Sequence, residues 1–265
     1  MTDAQILADL QAVLARALEV ARAAPPQTAD RKAHQDFVTD VDRAVDTFLE
    51  QELASVMPGM AVLSEERAVG IEGPLERYWI VDPIDGTLNL MSGLPPSAIA
   101  CALVDAQGPR IGAVVNIQSG STYTAIRGAG AWRDGRAIRA SARPPAGLII
   151  LSSGLMDRLV AANPDAYRAL REIGKLRNLG SQALHLCHVA SGAVAGVASV
   201  EARVWDEAAA GLILREAGGI WTAATDRLDW TDPREIMEHG AQKSIAAHAA
   251  AFEAMQTALA PVFES

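Results

Sequence analysis

The sequence predicts an α/β protein: an α+β N-terminal half with a mostly antiparallel sheet, followed by an α/β C-terminal half. Three observations carry this. Two amphipathic helical patterns lead into short apolar runs joined by glycine-bearing turns; from about residue 144 strands and helices alternate instead; and 265 residues, 50% of them hydrophobic, suffice for one large core or two closely packed halves. The Arg143-Pro144-Pro145 stretch is the expected seam between an N-terminal unit, 1–143, and a C-terminal unit, 144–265.

In chain order, residues 4–24 place Ile6, Leu7, Leu10, Val13, Leu14, Ala17 and Leu18 at helical spacing until Pro25-Pro26 stops the run. A polar link, 27–36, follows. Thr39 can cap a second helix whose face is Val41, Ala44, Val45, Phe48, Leu49 and Leu53, ended by Pro58-Gly59. Strands are expected at 61–63, 78–81, 98–104, 111–117 and 123–126, with Asp134-Gly135 as a hairpin turn. The second half reads as strand 148–151, a helical stretch 157–173 broken by Pro164, strand 176–179, helix 181–191, strand 194–200 and helix 206–217 ended by Gly218-Gly219. Strands 220–222 and 244–248 and a last helix 250–261 complete it. No fixed-period repeat or low-complexity tract is present.

A net charge of −9 disfavours a nucleic-acid backbone or an anionic membrane surface as main partner, and an anionic substrate would need cations to bridge it. Cys101 and Cys187 lie far apart in apolar runs, which reads as buried thiols of a reduced, cytoplasmic chain. Neither a basic-then-apolar leader nor an apolar stretch of the roughly 18 residues a span requires occurs.

The chemistry concentrates in RYWIVDPIDGTLNL, 77–90, where an apolar run delivers Asp82 and Asp85 at a strand end. Two carboxylates held close repel, and one has its pKa raised unless a cation neutralises both. Oxygen ligands without nearby histidine or thiolate favour Mg²⁺, Mn²⁺ or Ca²⁺ over Zn²⁺. Gly86-Thr87 then offers backbone N–H groups, where a helix begins, to a phosphate oxygen. The fragment alone fits an Asp-Pro turn followed by an Asp-Gly turn equally well. Further acids stand at other element ends, each with an ordinary account: Glu65 as a solvated acid, Asp206 as a helix N-cap, Asp42 as the acid of a Thr39-x-x-Asp42 capping box.

Taken together, DFVTDVD (36–42), SEE (64–66), WIVDPIDGTLN (79–89), GSQAL (180–184) and WDEAAAGLILREAGG (205–219) resemble the inositol monophosphatase family of magnesium-dependent, lithium-sensitive phosphatases. The motifs keep the family's order from about residue 36 to 219. The resemblance implies a layered αβαβα sandwich and hydrolysis of a small phosphorylated alcohol, inositol-1-phosphate-like, by in-line attack of an activated water. It implies that Glu65, Asp82 and the Ile84 carbonyl hold one Mg²⁺; that Asp82, Asp85 and Asp206 hold a second; and that a third, weaker ion joins through Glu65. Asp42 and Thr87, with Glu65, form the implied catalytic group. Asp85, Gly86, Thr87, Gly180, Ser181, Gln182, Ser199, Glu201 and Asp206 would contact substrate. Homodimers are common in the family.

Departures from the family pattern concern the substrate. Inositol phosphatases carry a glutamate seven residues before the WD aspartate, where this chain has Ser199; Glu201, two residues on, lies on the same face if the segment is a strand. Gln182 replaces a small residue and is expected to narrow or polarise the pocket. Histidinol phosphate, a nucleotide 3′-phosphate or a sugar phosphate are alternative substrates, and a regulatory interaction protein that keeps the metal site is an alternative of another class. His185 and His188, three apart, read as packing or surface residues, and Trp132, Trp205, Trp221 and Trp230 as packing residues. Gly128-Ala129-Gly130 lacks the frame of a dinucleotide loop, and Ser152-Ser153-Gly154 lacks that of a serine hydrolase.

Overall fold

The structure is a computed structural model, and it describes residues 1–33, 36–67, 73–141, 147–223 and 227–263. Helix α1 (Asp3–Arg22), capped by the Thr2 hydroxyl, buries Ile6, Leu7, Leu10, Val13, Leu14 and Ala17 as its periodicity requires. Its end is pinned where Arg22 donates to the carbonyls of Ile117 and Gln118 at 2.5 and 2.9 Å. The expected polar link is instead an antiparallel hairpin, β1 (Ala29–Ala33) and β2 (Asp36–Thr39), with Ala29 opposite Thr39. Asp40 secures its base by accepting the N–H groups of Gln27 and Thr28. Its charged strands carry no apolar alternation, so the sequence pattern offered no strand signal. Helix α2 (Asp40–Val56) follows, with the Thr39–Asp42 capping box in place.

A seven-stranded sheet runs in chain order: β3 (Ala61–Ser64), β4 (Arg77–Asp85), β5 (Ala98–Asp105), β6 (Gly108–Asn116), β7 (Thr122–Ile126), β8 (Gly130–Arg133) and β9 (Arg136–Ala137). β3 and β4 are parallel and every later neighbour is antiparallel. Asp134 and Gly135 take φ of 50° and 74°, the left-handed pair that a two-residue hairpin turn needs. A short helix, α3 (Thr87–Met91), interrupts the strands after β4.

The second sheet is mixed, in the order β11 (Lys175–Arg177), β10 (Leu148–Leu151), β12 (Gly196–Ala202), β14 (Gln242–Ala247), β13 (Ile220–Thr222). β10 is parallel to β11 and β12, whereas β14 runs antiparallel to β12 and β13. The helical stretch around Pro164 is two helices: α4 (Ser153–Ala162), begun four residues early by the Ser152 cap, and α5 (Pro164–Ile173), with Pro164 at its first position. Helices α6 (Gln182–Ala190), α7 (Val204–Glu216), α8 (Pro233–Glu238) and α9 (Ala249–Phe263) complete the chain; α8, capped by Asp232, was not expected.

Strand alternation sorts these elements into five layers. One face of the large sheet (Trp79, Val81, Ile99, Cys101, Leu103, Ile111) packs on α1 and α2. Its other face (Tyr78, Ile80, Ala98, Ala100, Val114, Tyr123) packs on α6 and α7, which also cover Ile150, Val197 and Ala246 of the small sheet. The far face of that sheet (Ile149, Leu151, Ala198, Ile245) is covered by α4, α5 and α9. This is the αβαβα sandwich, with α6 and α7 in its middle layer. α7 approaches β6 so closely that a Cβ on Gly112 would stand 2.8 Å from the Ala209 carbonyl oxygen. The expected seam at Arg143-Pro144-Pro145 lies outside the described residues.

Candidate metal and phosphate site

Residues three apart on a regular strand face opposite sides of a sheet. Yet Asp82 stands opposite Ala100 and Asp85 opposite Ala98, so β4 contains one residue more than β5 over this interval. The bulge, at Pro83, which has no N–H for the ladder, turns both carboxylates to the α6–α7 face. Asp82 is 1% exposed and its Oδ1 has no hydrogen-bond partner. Burial first, then the charges of Glu65, Asp85, Asp206 and Asp42, raise its pKa well above the ordinary range.

Asp85 is better accommodated. Its Oδ2 accepts from the Ser181 hydroxyl at 2.6 Å and the Ala183 N–H at 2.7 Å, and its Oδ1 from the Gln182 N–H at 3.1 Å. These are first-turn donors of α6, whose dipole also favours an anion there. Burial still raises its pKa to about 6 against those bonds. Part of the like-charge crowding of the DPID stretch is thus relieved by a helix before any ion is considered.

Asp206 stands at the third position of α7 rather than at its cap, where its Oδ2 accepts the Arg203 N–H at 2.8 Å. Burial, followed by Asp85 and Glu65, raises its pKa well above normal. Glu65 follows β3, its N–H bonded to the Val81 carbonyl, and its carboxylate meets the Lys32 ammonium at 3.0 Å. Lys32 also contacts Glu66 at 2.5 Å; burial opposes its charge, but the two glutamates outweigh burial and raise its pKa.

Glu65, Asp82, the Ile84 backbone segment, Asp85, Gly86, Thr87 and Asp206 line one cleft of about 500 Å³. Asp42 joins it through Thr87: the hydroxyl lies 2.8 Å from Asp42 Oδ1 and 3.0 Å from the Ile84 carbonyl, with one proton for either. The Thr39 N–H holds the other Asp42 oxygen at 3.0 Å, so the capping box and the site use the same carboxylate. Gly86 has φ of 91° and would carry a Cβ 2.8 Å from the Gly180 carbonyl oxygen, so only glycine fits between this turn and the start of α6.

Gly180, Gln182, Ser199 and Glu201 line an adjoining cavity of about 780 Å³ that shares Asp85 and Asp206 with the cleft; Ser181 is buried beneath it. Two of these side chains are already hydrogen-bonded. The Ser199 hydroxyl accepts the N–H groups of Glu201 and Ala202, forming the irregularity of β12 rather than a free contact. The Gln182 amide donates to Glu207 Oε1 at 2.7 Å and faces His185 Nδ1 at 3.2 Å, so at the cavity wall it is tied into a buried network.

Several residues escaped sequence reasoning. Lys32, Phe37, Arg203 and Trp205 line the acidic cleft, Trp205 having been read as a packing residue. Glu207, fully buried, accepts from Gln182, Gln242 and Ser244 at 2.6–2.7 Å, and burial lifts its pKa to about 7. An acid inside the otherwise apolar run of α7 was the available signal.

The donor set fits a hard divalent cation: oxygens only, an orphaned Asp82 oxygen and three buried carboxylates that resist ionisation. Among the described residues no three His, Cys, Asp or Glu side chains already converge as a closed ligand cluster, so the acids share a cleft rather than a finished coordination shell.

Residues 2–257 match the family model described as "Inositol monophosphatase family". The chain is 36% identical over 201 residues to the inositol-1-monophosphatase of Rhizobium meliloti (strain 1021), covering 73% of this chain and 74% of that protein. It is 33% identical over 215 residues to the putative Nus factor SuhB of Neisseria meningitidis serogroup B, covering 78% and 81%. A solved IMPase/NADP phosphatase complexed with Mg²⁺ and phosphate superposes with a TM-score of 0.73 at 25% identity, over 88% of this chain and 85% of that one.

Proposed function

The chain belongs to the inositol monophosphatase family, and from that premise we propose that it is a Mg²⁺-dependent phosphomonoesterase acting on a small phosphorylated alcohol, inositol-1-phosphate-like. The observation that carries the reading is the gathering of Asp82, Asp85 and Asp206 in one cleft, each with its pKa raised by burial, in a protein of net charge −9. Cations reconcile such a site with an anionic substrate.

In this reading Glu65, Asp82 and the Ile84 carbonyl would hold one ion, Asp82, Asp85 and Asp206 a second, and Glu65 a weaker third. When bound, the ions would supply the positive charge that keeps the carboxylates ionised and stabilises the attacking and leaving oxygens. Thr87 and Asp42 would orient the water and take its proton, the Thr87 hydroxyl standing 2.8 Å from an Asp42 carboxylate that is itself fixed by Thr39. Gly86 and Thr87 would direct N–H groups at the phosphate. Gly180, Gln182, Ser199 and Glu201 would surround the leaving alcohol, with Ser181 acting through Asp85. Histidinol phosphate, nucleotide 3′-phosphates and sugar phosphates are the competing substrates.

The SuhB relative, named a putative Nus factor, favours a second reading: a regulatory protein that keeps the metal site and works by binding another macromolecule. A phosphate-release panel with Mg²⁺, with and without Li⁺, tests both. The phosphatase reading expects release from at least one small monoester, dependent on Mg²⁺ and suppressed by Li⁺. No release from any ester, together with a co-purifying partner, would favour the regulatory reading.

A further inference from the structure

Glu207, fully buried, follows Asp206 on α7 and lines neither the acidic cleft nor the adjoining cavity. Its contacts nevertheless lead back to the acids of the cleft. Its Oε1 accepts the side-chain amide of Gln182 at 2.7 Å and the Ser244 hydroxyl at 2.6 Å, and its Oε2 accepts the amide of Gln242 at 2.6 Å. Gln182 is the first residue of α6, and its backbone N–H holds Asp85 Oδ1 at 3.1 Å. One side chain therefore runs from the turn that binds Asp85 to the residue beside Asp206.

Both ends of that amide are engaged. Gln182 Oε1 faces His185 Nδ1 at 3.2 Å, which turns the amide nitrogen toward Glu207. Elsewhere α6 and α7 bury apolar side chains in a common core, among them Ala183, Leu184, Ala208 and Ala209. Apolar contact is non-directional and leaves two helices free to slide or turn slightly, whereas a satisfied buried hydrogen-bond network fixes one arrangement. Asp85 and Asp206 repel each other as like charges, so the carboxylates themselves do not draw the two first turns together.

We propose that the Gln182–Glu207 contact straps the first turn of α6 to that of α7 and so sets the spacing of Asp85 and Asp206. Glu207 is then a positioning residue for the divalent cation that those two acids would share. The proposal rests on the metal-dependent reading of the cleft.

The test reads Mg²⁺ binding by calorimetry, without substrate, in wild type, Gln182→Ala, Glu207→Ala, the double variant and Gln242→Ala. Denaturant unfolding confirms that each is folded. Gln182→Ala decides the matter, because alanine suits a helix and the backbone N–H to Asp85 remains, so only the strap is lost. It is expected to weaken Mg²⁺ binding about tenfold, the scale of supporting residues around a metal site, and the double variant to bind no more weakly than Glu207→Ala. Gln242→Ala removes an equally short contact from the same acid without touching α6. It is expected to lower stability and to leave Mg²⁺ affinity within about twofold of wild type. The proposal is overturned if Gln182→Ala stays within about twofold of wild type, if the losses add in the double variant, or if Gln242→Ala weakens binding equally, as a general loosening would. A wild type that binds no Mg²⁺ overturns the metal reading itself and the strap with it, so the two failures are distinguished.

Discussion

Asp82 and Asp85 stand three apart in sequence, and only the extra residue at Pro83 sets them on one side of the sheet. What each carboxylate then meets differs: Asp85 receives three donors from the start of α6, whereas Asp82 keeps an orphaned oxygen. This asymmetry has a pH consequence. Asp85 moves from 3.8 to about 6, and Asp82 and Asp206 move well above 3.8, so the folded state retains protons that the unfolded chain has already released. Metal-free stability is therefore expected to fall as pH rises from about 4 through 6 and beyond, because the folded state binds more protons across that window. In the proposed metal reading Mg²⁺ would bind the ionised form, so its stabilisation is expected to be larger at about pH 8 than at about pH 5. Thermal unfolding in EDTA and in Mg²⁺ at both pH values checks this. A metal-free stability that rises over the window, with no response to Mg²⁺, would contradict it. At this scale the acids were legible because they sit in dense motifs, but the destinations of Gln182 and Ser199 were not. Gln182's partner Glu207 lies on α7, whose approach no local pattern encodes, and Ser199's lie two and three residues on, at an irregularity of β12 that alternation does not announce.

Helix α7 joins the two sheets. It brings Asp206 to the cleft, rests on β6 at Gly112, and sends Glu207 into a buried cluster with Gln182 of α6 and Gln242 and Ser244 of β14. Truncation by Glu207→Ala would strand those donors without an acceptor. The expected loss is about 1–3 kcal/mol for each donor left unsatisfied, read in denaturant unfolding. A loss under about 1 kcal/mol would mean that the cluster relaxes freely. The amphipathic helices and the apolar strands were readable because their periodicity reflects one buried face, and Asp134-Gly135 because its turn demands positive φ. The β1–β2 hairpin had no such face, and the early start of α4 depended on the Ser152 cap rather than on hydrophobic spacing.

Over the whole molecule, the five layers place the acid cleft where the first turns of α6 and α7 meet the bulged end of β4, so the site draws on both sheets at once. No described helix is long and apolar enough to cross a membrane. The net charge of −9 and the acid-lined cavity act in the same direction, toward cations that would let an anionic ester approach. The layer architecture was foreseeable from motif order. The shared middle layer, by contrast, is a property of packing between distant segments.

The central claim is that Asp82 organises divalent cations for phosphate ester hydrolysis. It is tested most directly by inorganic phosphate release and Mg²⁺ binding in wild type and Asp82→Asn, a substitution that keeps the side-chain shape and removes the charge. The account predicts that the variant folds, loses phosphate release by at least about a thousandfold and binds Mg²⁺ more weakly. A folded variant that retains near-normal turnover and Mg²⁺ affinity would contradict it.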